Sequence, residues 1–338
     1  MRAWHLTKAG GSLDALELVE LDVPRPGLGE VLVRVRACSL NYRDKLIVEG
    51  LYAVDEPFVP LSDGAGEVEA VGEGVTRFRP GDRVAGTFFQ NWWDGPPNPN
   101  TGPSLGKPGT NGMLAEYVIL PEHGLVHLAH SLDFEQAATL PCAGVTAWHA
   151  LMEGPRPVRP GSSVLVLGTG GVSLLALQIA KAGGARVIAT SSSGEKLKRV
   201  RALGADETIN YRANPEWGLE AARLAGGGVD HVIEVGGPGS LAQSMAAVGY
   251  AGEIALIGVL TREGNTHPHP LMAKGASLRA IFVGSRAMAD RLNRAVDANH
   301  IKPAIDKIFA FEDARQAFEY QSTPGLFGKV VITVPSAL

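Results

Sequence analysis

The stretch SSVLVLGTGGVSLLALQIAKA, residues 162–182, decides the fold. Val164 to Leu167 form an apolar run of strand length, Gly168-Thr169-Gly170-Gly171-Val172-Ser173 follows at once, and apolar residues at helical spacing come next. Strand, glycine turn and helix, in that order, are the context that the G-x-G-x-x-G fingerprint requires. Gly168 permits the sharp turn and Gly170 the close approach of backbone to a pyrophosphate, while Thr169, Gly171 and Val172 complete the turn. The free N–H groups and the macrodipole of the helix that starts there favour an anion. Ser173 stands where the third glycine is usual and is still small enough for the helix to pack on its strand.

Working outward, ARVIATS, EKLKRVRAL, ETIN, VDHVIEV and GEIALIGV continue the alternation of strands and helices, which predicts a parallel sheet with helices on both faces. Upstream, RVRACSL, GEVEAVGEGV, GDRVAGTF and LAEYVIL read as short strands broken by Gly and Pro, a β-rich module. Inside it, Thr87 to Gly112 is rich in Pro, Gly and Asn without periodicity and is expected to be a long surface excursion pinned by Trp92 and Trp93. Downstream, ADRLNRAVDANH and FEDARQAFEYQ have helical patterning, and FGKVVITV reads as a closing strand.

A chain of 338 residues with 45% hydrophobic and 20% charged residues accommodates about two ordinary globular domains. Its net charge of -4 offers no attraction to nucleic acid or an anionic membrane, so neither partner is expected. The N-terminus lacks a signal-type apolar core, no run of 18 apolar residues occurs, and the cytoplasm is the expected location. Cys38 and Cys142 are the two cysteines of the chain, which excludes a disulfide framework and predicts reduced, buried thiols.

The end of the second strand discriminates between cofactors. An NAD site usually places an acid there for the ribose hydroxyls, whereas Val187 to Gly194 contains none. Hydroxyls such as that of Ser191, with Lys196 nearby, suit the 2′-phosphate of NADPH. Lys196 reads equally well as a solvated lysine in the first turn of the next helix, where Glu195 is a helix N-terminal acid.

The segments ACSLNYRD, VPLSDGAGEVEAVGEGV, RPGDRV, AEYVILP, AATLPCAGVTAWHAL, LGADETINY and GKVVI, in this order around the glycine turn, resemble the medium-chain dehydrogenase/reductase superfamily, and within it the zinc-free, quinone oxidoreductase-like branch. The resemblance implies an α/β fold: a GroES-like β-rich catalytic domain over residues 1–143 and 285–338, and a Rossmann doubly wound parallel-sheet cofactor domain over 144–284. Zinc alcohol dehydrogenases of the superfamily ligate catalytic zinc with a Cys, a His-Glu pair and a second Cys. Here those positions hold Asn41, Ser62-Asp63 and Cys142, a set without the thiolate and imidazole ligands that tetrahedral zinc needs, so no metal is expected. His267 and His269, two apart and bracketed by prolines, read as surface loop.

Without zinc to stabilise an alkoxide, hydride addition to an enone or a quinone is the more accessible chemistry. The charge that develops on oxygen is within reach of a few hydrogen-bond donors, each contributing about 3–4 kcal/mol when well aimed. The resemblance places Asn41 and Asp44 beside the nicotinamide ribose, with Asn41 bonding cofactor or substrate and Asp44 holding local structure. Tyr42 and Arg43 read equally as scaffold. Tyr52 lies where relatives often carry a site tyrosine: its phenol either donates to a forming enolate or packs with its hydroxyl in solvent.

By the same resemblance Thr146 lies near the nicotinamide, Tyr211 beside the adenosine phosphate, and Phe282 and Val283 near the carboxamide. Val235-Gly236-Gly237 and Ile257-Gly258-Val259 follow later strands, at the carboxyl ends where doubly wound sheets bind ligands. Lys329 either faces the cofactor cleft or is solvated. Relatives form homodimers through the strand corresponding to Leu278–Val283. The resulting expectation is an NADPH-dependent reductase of small quinones, enones or other carbonyl compounds. The alternatives are a zinc-independent NADP-dependent alcohol or aldehyde dehydrogenase and a non-enzymatic NADPH-binding regulatory or structural protein.

Overall fold

The computed structural model describes residues 1–8, 12–258, 260–261, 263–264 and 266–335. The chain divides into two compact units, Met1–Val145 with Gly284–Leu338, and Thr146–Val283.

The second unit is built on six strands in the spatial order Glu207–Asn210, Arg186–Ser191, Ser163–Leu167, Val229–Glu234, Val248–Leu256 and Ser277–Ala280, with every neighbouring pair parallel. Counted along the chain this is 3-2-1-4-5-6, the order of the doubly wound dinucleotide-binding sheet, whose topological switch point lies beside the first strand. Ser163–Leu167 therefore sits in the middle, and Val164, Leu165 and Val166 are fully buried. That explains why the strand is apolar without alternation: both of its faces are covered. Leu165 packs in one cluster with Ile188, Ile209, Val232 and Ile254 from neighbouring strands, each such side chain contributing about 1.5–3 kcal/mol on burial. The helices Gly171–Ala182 and Gly194–Ala202 fall on segments that read as helical, and Trp217–Leu224 and Pro238–Ala247, which no sequence segment marks, continue the alternation.

The last strand is shorter than Leu278–Val283. It ends at Ala280, paired with Leu256 at the end of the neighbouring strand, and three residues on Val283 has φ of +53°, a left-handed conformation that no strand continues and that is strained for a β-branched residue. Two contacts hold it there: its side chain is buried, and its carbonyl lies 2.7 Å from Nδ1 of His149, so the Nδ1–H tautomer is the one that donates.

The first unit carries a sheet in the order Ile305–Ala310, Lys329–Thr333, Glu30–Ser39, Asp63–Val71, Arg83–Gly86, Leu125–His127, with Tyr117–Pro121 also paired to Glu30–Ser39. Its strand pairs are antiparallel except Ile305–Ala310 with Lys329–Thr333, which is parallel. The segment from Thr87 to Gly112 is not only a surface excursion. Phe88, Phe89, Trp92 and Leu105 are buried, and the Trp92 indole donates to the Gly95 carbonyl at 2.9 Å, whereas Trp93 stays exposed. Pro and Gly made the backbone irregular, but apolar residues at irregular spacing still find the core. The far end of this segment is packed against residue 61: a Cβ on Gly106 would lie 2.5 Å from the Leu61 carbonyl carbon and one on Gly112 2.1 Å from its oxygen. Leu61 itself is left-handed, φ +67°, and fully buried. The two glycines thus fix the backbone immediately before Ser62 and Asp63.

Candidate active site

Because all six strands of the second unit are parallel, their carboxyl ends share one edge, and the cofactor candidates of that unit lie along it. Gly168 follows Leu167, Ser191 ends its strand, Tyr211 follows Asn210, Val235 follows Glu234, Gly258 follows Leu256 by two residues, and Phe282 follows Ala280 by two. Val259 lies outside the described residues. Gly168 has φ of +71°, which demands glycine. Gly170 has φ of -80°, open to any residue, and a Cβ added to it meets nothing within 4 Å. The fold does not need a glycine there, but the approach of a phosphate to the backbone at the helix N-terminus does. The residues present therefore fit a dinucleotide.

Around that turn, the Gly168 amide donates to Oγ1 of Thr190 at 3.3 Å, tying the turn to the second strand. The Ser173 hydroxyl donates to the Leu167 carbonyl at 2.6 Å, so the third fingerprint position serves helix–strand packing. Ser191 is buried, with its Oγ accepting from the Ser193 amide at 3.3 Å. Ser193 caps the next helix, receiving the Lys196 amide at 3.4 Å. Lys196 is half-buried in the first turn, and Glu195 pairs with Lys198 at 2.8 Å. Tyr211 and Phe282 are exposed, while Thr169 and Thr146 are buried. Gly258 has a packing reason, since a Cβ there would stand 2.0 Å from the Val235 carbonyl oxygen.

Sequence reasoning missed Glu234. Its fully buried carboxylate accepts the Gly236 and Gly237 amides at 2.7 and 3.0 Å, the Ser240 hydroxyl at 2.6 Å and the Ser244 hydroxyl, shaping the loop that carries Val235. An acid closing an apolar strand just before Gly-Gly was the available signal.

In the first unit, Asn41 caps the helix Tyr42–Val48, and its backbone N–H donates to Oδ2 of Asp44 at 2.8 Å. Asp44 thus holds local structure. Arg43 donates to the Leu105 carbonyl at 2.7 Å and lies over the Phe88 ring, which makes it scaffold, while Tyr42 is exposed. Lys329 is not solvated. It is buried, and its ammonium donates to Oδ1 of Asn41 and to the Leu40 carbonyl, both at 2.5 Å. The Asn41 amide nitrogen donates to Oγ of Ser62 at 3.4 Å, Ser62 donates to Asp63 at 2.8 Å, and the Cys142 amide donates to the other Asp63 oxygen at 3.0 Å. Tyr52 is exposed, with the Lys107 ammonium 5.8 Å from its ring centre.

Residues 27–130 match the family model of the alcohol dehydrogenase GroES-like domain, and residues 171–298 that of zinc-binding dehydrogenases. A zinc-type alcohol dehydrogenase-like protein of Schizosaccharomyces pombe is 46% identical over 334 residues, covering 95% of this chain and 96% of its own length. The chain belongs to the medium-chain dehydrogenase/reductase superfamily. It is an oxidoreductase with a pyridine nucleotide-binding dehydrogenase fold. Within the superfamily it is also similar to the quinone oxidoreductase of Rattus norvegicus, 31% identical over 98% of this chain and 97% of that protein. Among solved structures, an NAD-dependent alcohol dehydrogenase superposes with a TM-score of 0.89 at 36% identity, covering 99% of this chain and 100% of that one.

The superfamily's zinc enzymes raise the question of whether this donor set fits a metal. It does not. The Asn41 oxygen is taken by an ammonium, and both Asp63 oxygens accept other hydrogen bonds. Cys142 is the one soft donor among these positions, and a single thiol does not make a tetrahedral zinc site. Among the described residues no group of three or more His, Cys, Asp or Glu is placed to hold a metal ion, and His267 and His269 are exposed.

Burial also raises the Asp44 carboxyl to about 6, against the opposing pull of Arg43, 3.5 Å away. The native state therefore holds a proton that the unfolded chain, at its ordinary value of 3.8, has lost. Stability from this group grows as pH falls through about 6 and levels off near 4. Asp44→Asn, whose amide oxygen still accepts the Asn41 N–H, is expected to flatten the urea midpoint between pH 4 and 6 relative to wild type. Parallel profiles for the two proteins would contradict this.

Proposed function

We propose that the chain is an NADPH-dependent oxidoreductase that reduces quinones or the activated C=C bonds of enones by hydride transfer without zinc, with the GroES-like unit catalytic and the Rossmann unit cofactor-binding. The observation that carries this reading is the cluster of Asn41, Ser62, Asp63, Cys142 and Lys329: the positions of the zinc ligands are filled by groups bonded to one another. Bound NADPH supplies the hydride. The turn Gly168–Val172 holds its pyrophosphate, and Thr146, Tyr211, Val235, Gly258, Phe282 and Val283 line its path. Asn41 donates a hydrogen bond to the oxygen on which charge develops, and the Tyr52 phenol, open to solvent, returns a proton to the enolate.

A cofactor-oxidation screen with quinones, enones and aldehydes, run with a chelator present, tests the reading. Turnover of aldehydes alone would favour the alcohol or aldehyde dehydrogenase alternative, which the similarity to alcohol dehydrogenases supports. For the cofactor, the reading is supported by Ser191 and the half-buried Lys196 just after the second strand, with no acid from Val187 to Gly194. Ser191→Asp places a like charge against that phosphate and is expected to lower the NADPH-to-NADH ratio of kcat/KM at least about tenfold. An unchanged ratio, or a wild type that prefers NADH, would overturn the cofactor assignment.

No helix among the described residues is long and apolar enough to cross a membrane, and both cysteines are unpaired, which supports a cytoplasmic location. Leu278, Phe282, Met272 and Tyr250 are exposed on and near the edge strand of the parallel sheet, a surface suited to a homodimer.

A further inference from the structure

We propose that Lys329 is a positioning residue: with Asp63 it terminates a buried hydrogen-bond chain that locks the Asn41 carboxamide in the one orientation it presents to a ligand. The inference deepens the function proposed above and rests on it for the identity of that ligand. The chain runs one way. The ammonium donates to Oδ1 of Asn41, Nδ2 of Asn41 to Ser62, and Ser62 to Asp63, which also takes the Cys142 amide.

Each direction follows from what its ends are able to do. An ammonium has donors and no acceptor, and a carboxylate only accepts. Ser62 has one proton and gives it to Asp63, so it meets Asn41 with a lone pair. A flipped Asn41 would set its NH2 against the ammonium, donor to donor, and its oxygen against an oxygen with no proton left to give. Both bonds would be lost where Lys329 and Ser62 are buried, and leaving buried polar groups unpaired is costly. The ambiguity between amide oxygen and nitrogen is thereby resolved by chemistry. Asn41 retains 8% exposure against 4% for Lys329 and none for Ser62 and Asp63, so of the four side chains joined in this run it is the least enclosed.

The sheet explains the convergence. Ser39, at the end of the strand leading to Asn41, pairs with Asp63 on one side and with Val331, two residues beyond Lys329, on the other. Gly328, with φ of +90° and room for no Cβ beside the Ala304 carbonyl oxygen 2.2 Å away, fixes the backbone from which Lys329 starts.

The test is a double-mutant cycle on kcat with Asn41→Ala and Lys329→Met, with Asn41→Asp and Lys329→Arg alongside. Asn41→Ala and Lys329→Met are each expected to lower kcat about 100-fold, the effect of losing one aimed donor, while KM for NADPH moves less than about threefold. The double variant should be within about threefold of Asn41→Ala, and Lys329→Arg should recover part of the loss. Asn41→Asp keeps an acceptor for Lys329 but removes the donor and sets an oxygen against Ser62, so it should fold with reduced stability and still lose about 100-fold in kcat.

Multiplicative losses in the double variant, or an active Asn41→Asp, would overturn the proposal. If the wild type reduces only aldehydes, the functional reading fails and the same cycle on an aldehyde decides this one. If it reduces nothing, the decision passes to NMR of asparagine-labelled protein. The side-chain amide pair lost in Asn41→Asp should then be protected from exchange in wild type and unprotected in Lys329→Met, and equal protection in both would reject the role of Lys329.

Discussion

Gly170→Val is expected to leave the protein as stable as wild type to within about 1 kcal/mol and to weaken NADPH binding at least about 100-fold. The two halves of the prediction rest on different observations. Gly170 has an ordinary extended conformation, φ -80° and ψ 176°, and open space where a Cβ would go, so a side chain starts there without backbone strain and without a clash at its Cβ. The smaller unfolded-state entropy of a residue with a side chain opposes the weaker capping of a non-glycine at this position. Binding is another matter, because the added isopropyl group occupies the space through which a pyrophosphate reaches the helix amides. Gly168 makes the comparison sharp: at φ +71° its replacement strains the backbone by about 1–2 kcal/mol, so Gly168→Val should lose both stability and affinity. Thermal unfolding and fluorescence titration of the two variants separate the outcomes. A Gly170→Val protein that binds NADPH like wild type would remove the phosphate from this turn.

Glu234→Ala should be the most destabilising single change in the parallel-sheet unit, on the order of 3–5 kcal/mol. The carboxylate is fully buried and satisfies two backbone amides and two hydroxyls at once. Truncation takes from the Gly236 and Gly237 amides the acceptor they share, whereas the Ser240 hydroxyl retains the Gly237 carbonyl at 3.2 Å. Glu234→Gln keeps one acceptor oxygen and should cost about 1–2 kcal/mol. Because the loop from Val235 is packed on Gly258, the alanine variant should also bind NADPH less well, even well below its unfolding temperature. A melting temperature within about 2 °C of wild type would show that the loop finds other partners.

The parallel-sheet unit was legible because its signals are local. An apolar strand, a glycine turn and a helix lie within 21 consecutive residues, and the periods of strand and helix differ enough to be told apart. The strand that stops at Ala280 was not legible, nor was the left-handed Val283 beyond it, whose carbonyl meets His149, far away in sequence. The depth to which residues 87–112 enter the core escaped for a similar reason: Gly106 and Gly112 act on Leu61, and no periodic pattern marks such a contact. In the candidate site, Asn41 and Ser62 were identified from their positions in the family pattern. The chain of bonds from Lys329 to Asp63 was not, because it joins the strand ending the described chain to one near its beginning. Sequence patterning reports burial along an element; it does not report which buried polar groups meet.

One consequence of the thiols concerns the substrates proposed above. Quinones and enones are Michael acceptors, and the species they capture is the thiolate. Cys38 is fully buried, with its sulfur on the Met113 carbonyl, and burial together with Asp63 pushes both thiols far up. Cys38 is thus out of reach of such electrophiles, and the upward shift at the half-buried Cys142 disfavours the thiolate that they would capture.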